Sequence, residues 1–191
     1  MGLRPGVWAR PLTFVDVETT GAGSAGSRVL EIGAVRVEQG VVTAALSSLV
    51  DPGEPVPAWI TGLTGITGAD VVGAPAFAQV APEVARMLDG AVFVAHNAAF
   101  DYSFVSMEFG RLGVAFAPPM LCTVVMSRRL FPQYRHHRLA DLIERHGLAA
   151  ANRHRAYDDA LCLWQWFGLC LAEFDLDTVE AAMRAQLDRR R

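Results

Sequence analysis

At 191 residues, 52% hydrophobic and with a mean hydropathy of +0.25, the chain is sized for one domain with a substantial core and is too apolar for disorder. Its longest apolar run, residues 160–172, is broken by Gln165 and too short to span a bilayer, and residues 1–10 lack the apolar stretch of a secretion signal. The net charge of −3 conceals a positive band at residues 128–155, where 7 arginines face 2 acids, so an acidic overall balance does not exclude a phosphate backbone as partner.

Residues 12–18 (LTFVDVE) are apolar on both faces and predict a buried central strand. A Gly/Ser/Ala loop follows at 21–27. Residues 29–38 alternate with period two and predict a second strand, and residues 41–50 pair back on it after a turn at Gln39-Gly40. The proline-rich stretch 51–57 is loop, since no helix runs through it. Short helices are predicted at about 58–63 and 76–88, a fourth strand at 92–95, and a helix at 98–109 directly after it. Pro118-Pro119 breaks the chain before a helix near 123–131. A helix over 138–146 ends at Gly147, and the last helices cover about 156–173 and 177–188. Strands first, then strand–helix alternation, specify an α/β domain with a mixed sheet whose strand order periodicity leaves open. Cys122, Cys162 and Cys170 are odd in number and widely spaced, which suits reduced thiols in a cytoplasmic protein.

Acids stand in apolar frames at three places. Asp16 and Glu18 are two apart on a strand, so both carboxylates project to one face. Side by side they repel, and one would protonate unless a cation sits between them. Asp101 follows the fourth strand at a strand-to-helix turn where His96 or Asn97 could cap the helix. Ligands of open α/β sheets gather at the carboxyl ends of strands, although an acid in a first helical turn is also favoured by the helix dipole alone. Asp158 and Asp159 are neighbours on a helix and differ by roughly 100° about its axis, so they cannot both face one site. Asp159 shares its face with Leu163, Trp166 and Cys170 and points inward; Asp158 shares its face with Cys162 and Gln165, a less decisive setting. Four buried carboxylates need compensation, which divalent cations supply.

These segments resemble the DnaQ-like 3′–5′ exonucleases of the DEDDh group, related to the epsilon proofreading subunit of bacterial replicative DNA polymerase. The resemblance lies in Asp16-x-Glu18-Thr-Thr-Gly21, Ala95-His-Asn-Ala-x-Phe-Asp101 and His154-Arg-Ala-x-x-Asp159-Ala160. Secondary matches are Asp51-Pro-Gly-x-Pro-Val-Pro57, Leu63-Thr-Gly-Ile-Thr67 and Cys122-Thr-x-x-x-x-Arg-Arg-Leu-Phe-Pro132. It covers roughly residues 12–173, and at Thr64 the chain departs from the epsilon subunit toward exonuclease domains built into Gram-positive-type replicative polymerases.

The resemblance implies a ribonuclease H-like fold, a mixed five-stranded sheet flanked by helices, forming a single exonuclease domain over 1–191. It implies two divalent ions, Mg²⁺ or Mn²⁺, with Asp16 bridging both, Glu18 and Asp159 helping to hold the one that carries the attacking water, and Asp101 holding the other. It selects Asp159 over Asp158 and makes His154 the general base. The same comparison assigns Thr19, Thr20, Gly21, Leu63, His96, Asn97 and Phe100 to the substrate. The implied reaction releases nucleoside 5′-monophosphates from the 3′ end of single-stranded DNA in proofreading or repair. RNA is the alternative substrate, and a non-catalytic module bound to a DNA polymerase subunit the alternative role. After the last helix the chain ends on Arg189-Arg190-Arg191 without the epsilon subunit's polymerase-tethering segment, so an unattached enzyme or a removed tail is expected.

Overall fold

The apolar segment around Asp16 becomes the middle strand of a five-stranded sheet. In the computed structural model, which describes residues 10–149 and 154–187, this strand is β1 (Leu12–Thr19). β2 (Val29–Glu38) and β3 (Val41–Leu49) form the predicted hairpin, followed by α1 (Ala58–Thr64), α2 (Gly68–Val71) and α3 (Phe77–Leu88). Then come β4 (Val92–Ala95), α4 (Ala99–Arg111), β5 (Met120–Cys122) and α5 (Thr123–Leu130). α6 (Leu139–His146), α7 (Ala156–Glu173) and α8 (Leu176–Leu187) complete the order. Among the described residues no helix is long and apolar enough to cross a membrane.

The sheet order is β3-β2-β1-β4-β5; β1 runs antiparallel to β2 and parallel to β4, and β4 parallel to β5. This is the mixed five-stranded sheet of a ribonuclease H-like fold. Because successive strand residues face opposite layers, β1 divides its side chains between two cores. Leu12 and Phe14 pack with Leu163, Trp166 and Phe167 of α7 on one side. Val15 and Val17 pack with Val84 of α3 and Phe104 of α4 on the other. Asp16 and Glu18 therefore continue the Leu12–Phe14 face, toward α7. Burying a side chain such as Phe14 contributes about 1.5–3 kcal/mol, so the apolar half of β1 anchors the strand whose other end carries the acids.

Two elements were not foreseen. β5 has only three residues, too few to show alternation, and is made by parallel pairing with β4. α2 has four residues and is fixed by a capping box between Thr67 and Asp70. α6 ends as expected at Gly147, in the left-handed conformation with φ of 60°.

Candidate active site

Three elements converge at the carboxyl ends of β1 and β4, on a cleft of about 230 Å³. β1 contributes Asp16, Val17 and Glu18; the β4–α4 connection contributes His96, Asn97, Phe100 and Asp101; the start of α7 contributes His154 and Asp159. The four acids and the histidine singled out from the sequence thus line one cavity. Ligand atoms of Glu18, His154 and Asp159 lie within 4.8 Å of one another. Asp159 is buried, 4% exposed, whereas its neighbour Asp158 is half-buried and lies outside the lining. The helical offset between adjacent residues separates the two.

Asp101 is 3% exposed, and its Oδ1 accepts the Val17 N–H at 3.1 Å. Burial pushes its carboxyl up to about 7, against the opposing pull of backbone N–H bonds. Among the described residues no guanidinium faces it, so a cation entering the cleft would favour its ionised form. A donor set of carboxylate oxygens with one imidazole suits hard divalent cations of the Mg²⁺ or Mn²⁺ kind and lacks the thiolates of a structural zinc site.

The β4–α4 turn is built differently from the expectation of a side-chain cap. Neither His96 nor Asn97 caps α4, whose N-cap is Ala98, with no side-chain bond. Asn97 instead adopts a left-handed φ of 61°, which turns the chain into the helix. His96 is committed sideways: its Nδ1 lies 2.9 Å from Thr123 Oγ1, and that hydroxyl donates to Ala95 O at 3.2 Å. With the Thr123 proton so used, His96 Nδ1 is the donor to Thr123. His154 also has a left-handed φ, 60°, directly before α7, and is half-buried.

Of the seven residues assigned to substrate, His96, Asn97 and Phe100 line the cleft; the other four do not. Thr19 Oγ1 donates to Gly21 O at 2.7 Å, and Thr20 Oγ1 donates to Glu54 Oε1 while accepting the Arg28 N–H. The Thr19 hydroxyl is thus spent on the loop that leaves β1 and that of Thr20 on Glu54, and Gly21 lies so close to Ser27 that a Cβ would meet Ser27 Oγ at 2.6 Å. Leu63 is exposed on α1. Leu139, at the start of α6, lines the cleft and was not singled out; an apolar residue opening an amphipathic helix carries no signal of a site.

The exonuclease family RNase_T matches residues 13–167. A "DNA polymerase III PolC-type" of Clostridium perfringens is 38% identical over 146 residues, 76% of this chain and 10% of that protein. The "3′-5′ exonuclease DinG" of Bacillus subtilis is 40% identical over 148 residues, 76% of this chain and 16% of that protein. The chain therefore spans a small fraction of the length of these relatives. Among solved structures, Exonuclease X in complex with 5′ overhanging duplex DNA shares the fold, with a TM-score of 0.71 at 23% identity, covering 90% of this chain and 98% of that one. With its motifs gathered in one cleft and its length matched from the first strand into α7, the chain belongs to the RNase_T family of DnaQ-like exonucleases.

Proposed function

We propose that the chain is a single-domain 3′–5′ exonuclease that shortens single-stranded DNA one nucleoside 5′-monophosphate at a time. The observation that carries this is the convergence of Asp16, Glu18, Asp101, Asp159 and His154 on one cleft from three distant stretches of an exonuclease-family chain. Asp16, Glu18, Asp101 and Asp159 would hold two divalent ions, which supply charge neutralisation at the phosphate and Lewis acidity when bound. His154 accepts the proton of the water that attacks phosphorus, a task matched to an imidazole near neutral pH. The bond from phosphorus to the 3′ oxygen of the preceding nucleotide breaks, that oxygen takes up a proton, and the terminal nucleotide leaves with the phosphate. His96 and Asn97 hold the backbone, and Phe100 offers its ring to the terminal base. Leu63, exposed on α1, would meet the substrate outside the cleft, and Thr19, Thr20 and Gly21 would hold the loop that follows Glu18.

Preference for DNA is supported by the polymerase relatives, whose printed name is that of a DNA polymerase III. The same likeness supports a proofreading or repair role beside a DNA polymerase in the cytoplasm. Arg128, Arg129, Arg135 and Arg138 are exposed in the positive band that runs up to Leu139, a surface suited to the phosphate backbone. The test is incubation with 5′-labelled single-stranded DNA and RNA oligomers in Mn²⁺ or in EDTA. Stepwise shortening of DNA, abolished by EDTA, is expected. Shortening of RNA alone would overturn the substrate, and no shortening of either would overturn the activity.

A further inference from the structure

Glu31 takes no part in the cleft, yet its burial is more complete than that of any acid that does. It lies in β2 at 1% exposure, directly across the antiparallel ladder from Glu18. Residues opposite one another share a sheet face, so two carboxylates stand side by side toward α7, an arrangement that is unfavourable unless each charge is met. Glu31 is met by the start of α7. Arg155 Nε donates to its two oxygens at 3.0 and 3.2 Å, Arg155 Nη2 donates to Oε1 at 2.7 Å, and the Ala156 N–H donates to Oε2 at 3.0 Å. Two residues along the same strand face, Gly33 stands opposite Asp16. A Cβ on Gly33 would lie 2.1 Å from the Ala156 carbonyl carbon and the Tyr157 nitrogen, so the first residues of α7 rest on bare β2 backbone. The residue before Arg155 is His154, and the Arg155 carbonyl accepts the Asp159 N–H at 3.0 Å.

We propose that Glu31, Arg155 and Gly33 form a clamp of positioning residues that fixes the first turn of α7 against β2 and so sets His154 and Asp159 opposite Glu18 and Asp16. None of the three touches the reacting atoms. The bidentate guanidinium fixes both the height and the rotation of the helix start, because a planar fork fits a carboxylate in one orientation. Gly33 fixes the distance, since any side chain there would lift α7 off the sheet. Arg155 also neutralises Glu31, so that Glu31 adds no uncompensated charge beside Glu18. The clamp's catalytic importance presupposes the nuclease function proposed above; its structural effect does not.

Glu31→Gln and Arg155→Lys test it. Groups that orient metal ligands from behind typically change affinity or activity by roughly 10–100-fold, and a loss of that size in Mn²⁺ affinity, measured by calorimetry, is expected for both variants. Turnover on a labelled oligonucleotide should fall by a similar factor with KM within about 3-fold of wild type. The imidazole signals of His154 in ¹H–¹³C spectra should shift in both variants. Arg28→Ala, which breaks a different buried arginine–glutamate pair, is the control that lowers the melting temperature without these changes. Should Glu31→Gln fail to fold, Arg155→Lys carries the test, since the Arg155 side chain is half exposed. If both variants lower only the melting temperature and keep wild-type Mn²⁺ affinity and His154 spectra, the clamp is merely structural and the proposal falls. If wild type shortens no oligonucleotide, the nuclease function falls, while Mn²⁺ affinity and the spectra still decide the clamp.

Discussion

Two kinds of buried acid occur in this molecule, and they are treated in opposite ways. Glu31 and Glu108 are 1% and 2% exposed, and each is answered by arginine: Arg155 for Glu31, Arg28 and Arg111 for Glu108. Asp101 is just as buried, at 3%, but among the described residues receives backbone N–H groups and no guanidinium. In the first pair the protein supplies the counter-charge and the acid ties one element to another: β2 to α7, and the start of β2 to α4. For Asp101 no such arginine stands in place, a setting that suits a bound cation as its counter-charge. At equal burial, the partner of each acid therefore separates Glu31 and Glu108, which tie elements together, from Asp101, whose setting suits a cation.

The largest break of this contrast is Asp101→Asn. We expect turnover to fall by roughly 10³-fold, about 4 kcal/mol of transition-state stabilisation, with the metal-free melting temperature unchanged or raised. Arg28→Ala should do the reverse. Leaving Glu108 short of a donor is expected to destabilise the fold by about 2–3 kcal/mol in chemical denaturation, with kcat unaltered in the folded protein. If Arg28→Ala instead lost turnover at unchanged stability, the division into two kinds of acid would fail. His154→Ala comes next, with turnover down roughly 10²-fold and Mn²⁺ affinity largely kept, as calorimetry would report. Asp158→Ala should change turnover far less than Asp159→Ala; equal losses in steady-state assays would undo the choice between these neighbours.

The last prediction concerns pH. In the metal-free protein Asp101 keeps its proton up to about 7, whereas the unfolded chain releases it near 3.8. The folded state thus binds the extra proton in that window, and this contribution to stability is present below it and lost as pH rises through it. Melting temperatures in EDTA should show this downward term between pH 4 and 7, and saturating Mn²⁺ or the Asp101→Asn substitution should remove it. A melting curve series with the same pH slope in EDTA and Mn²⁺ would contradict it.

Much of this arrangement was legible in the sequence because it is encoded locally. The period-two acids of β1, the Asp159 stripe on α7 and the glycine that ends α6 each declare themselves within a few residues. β5 did not, because its three residues become a strand only through β4. The roles of Glu31 and Glu108 were also illegible. Burial of Glu31 could be inferred from the apolar alternation around it, but nothing in Val-Leu-Glu-Ile-Gly points to an arginine 124 positions later. Gly33 is equally silent, for a glycine in a strand marks a close approach without naming what approaches. That His96 could cap α4 was open in the sequence, because its competing partner, Thr123, lies 27 positions away.

The 124-residue separation between Glu31 and Arg155 has a consequence in time as well as in space. At about 5–20 residues per second, a growing chain waits roughly 6–25 seconds between the appearance of the acid and that of its arginine. Until then β2 carries a charge it cannot bury, and the sheet face meant for α7 stays open to water or to a chaperone. The segment that finally neutralises Glu31 is the one that delivers His154 and Asp159. Closing the core and completing the cleft are thus a single late event of biosynthesis, and a nascent chain cut short before residue 154 holds Asp16, Glu18 and Asp101 without His154 and Asp159.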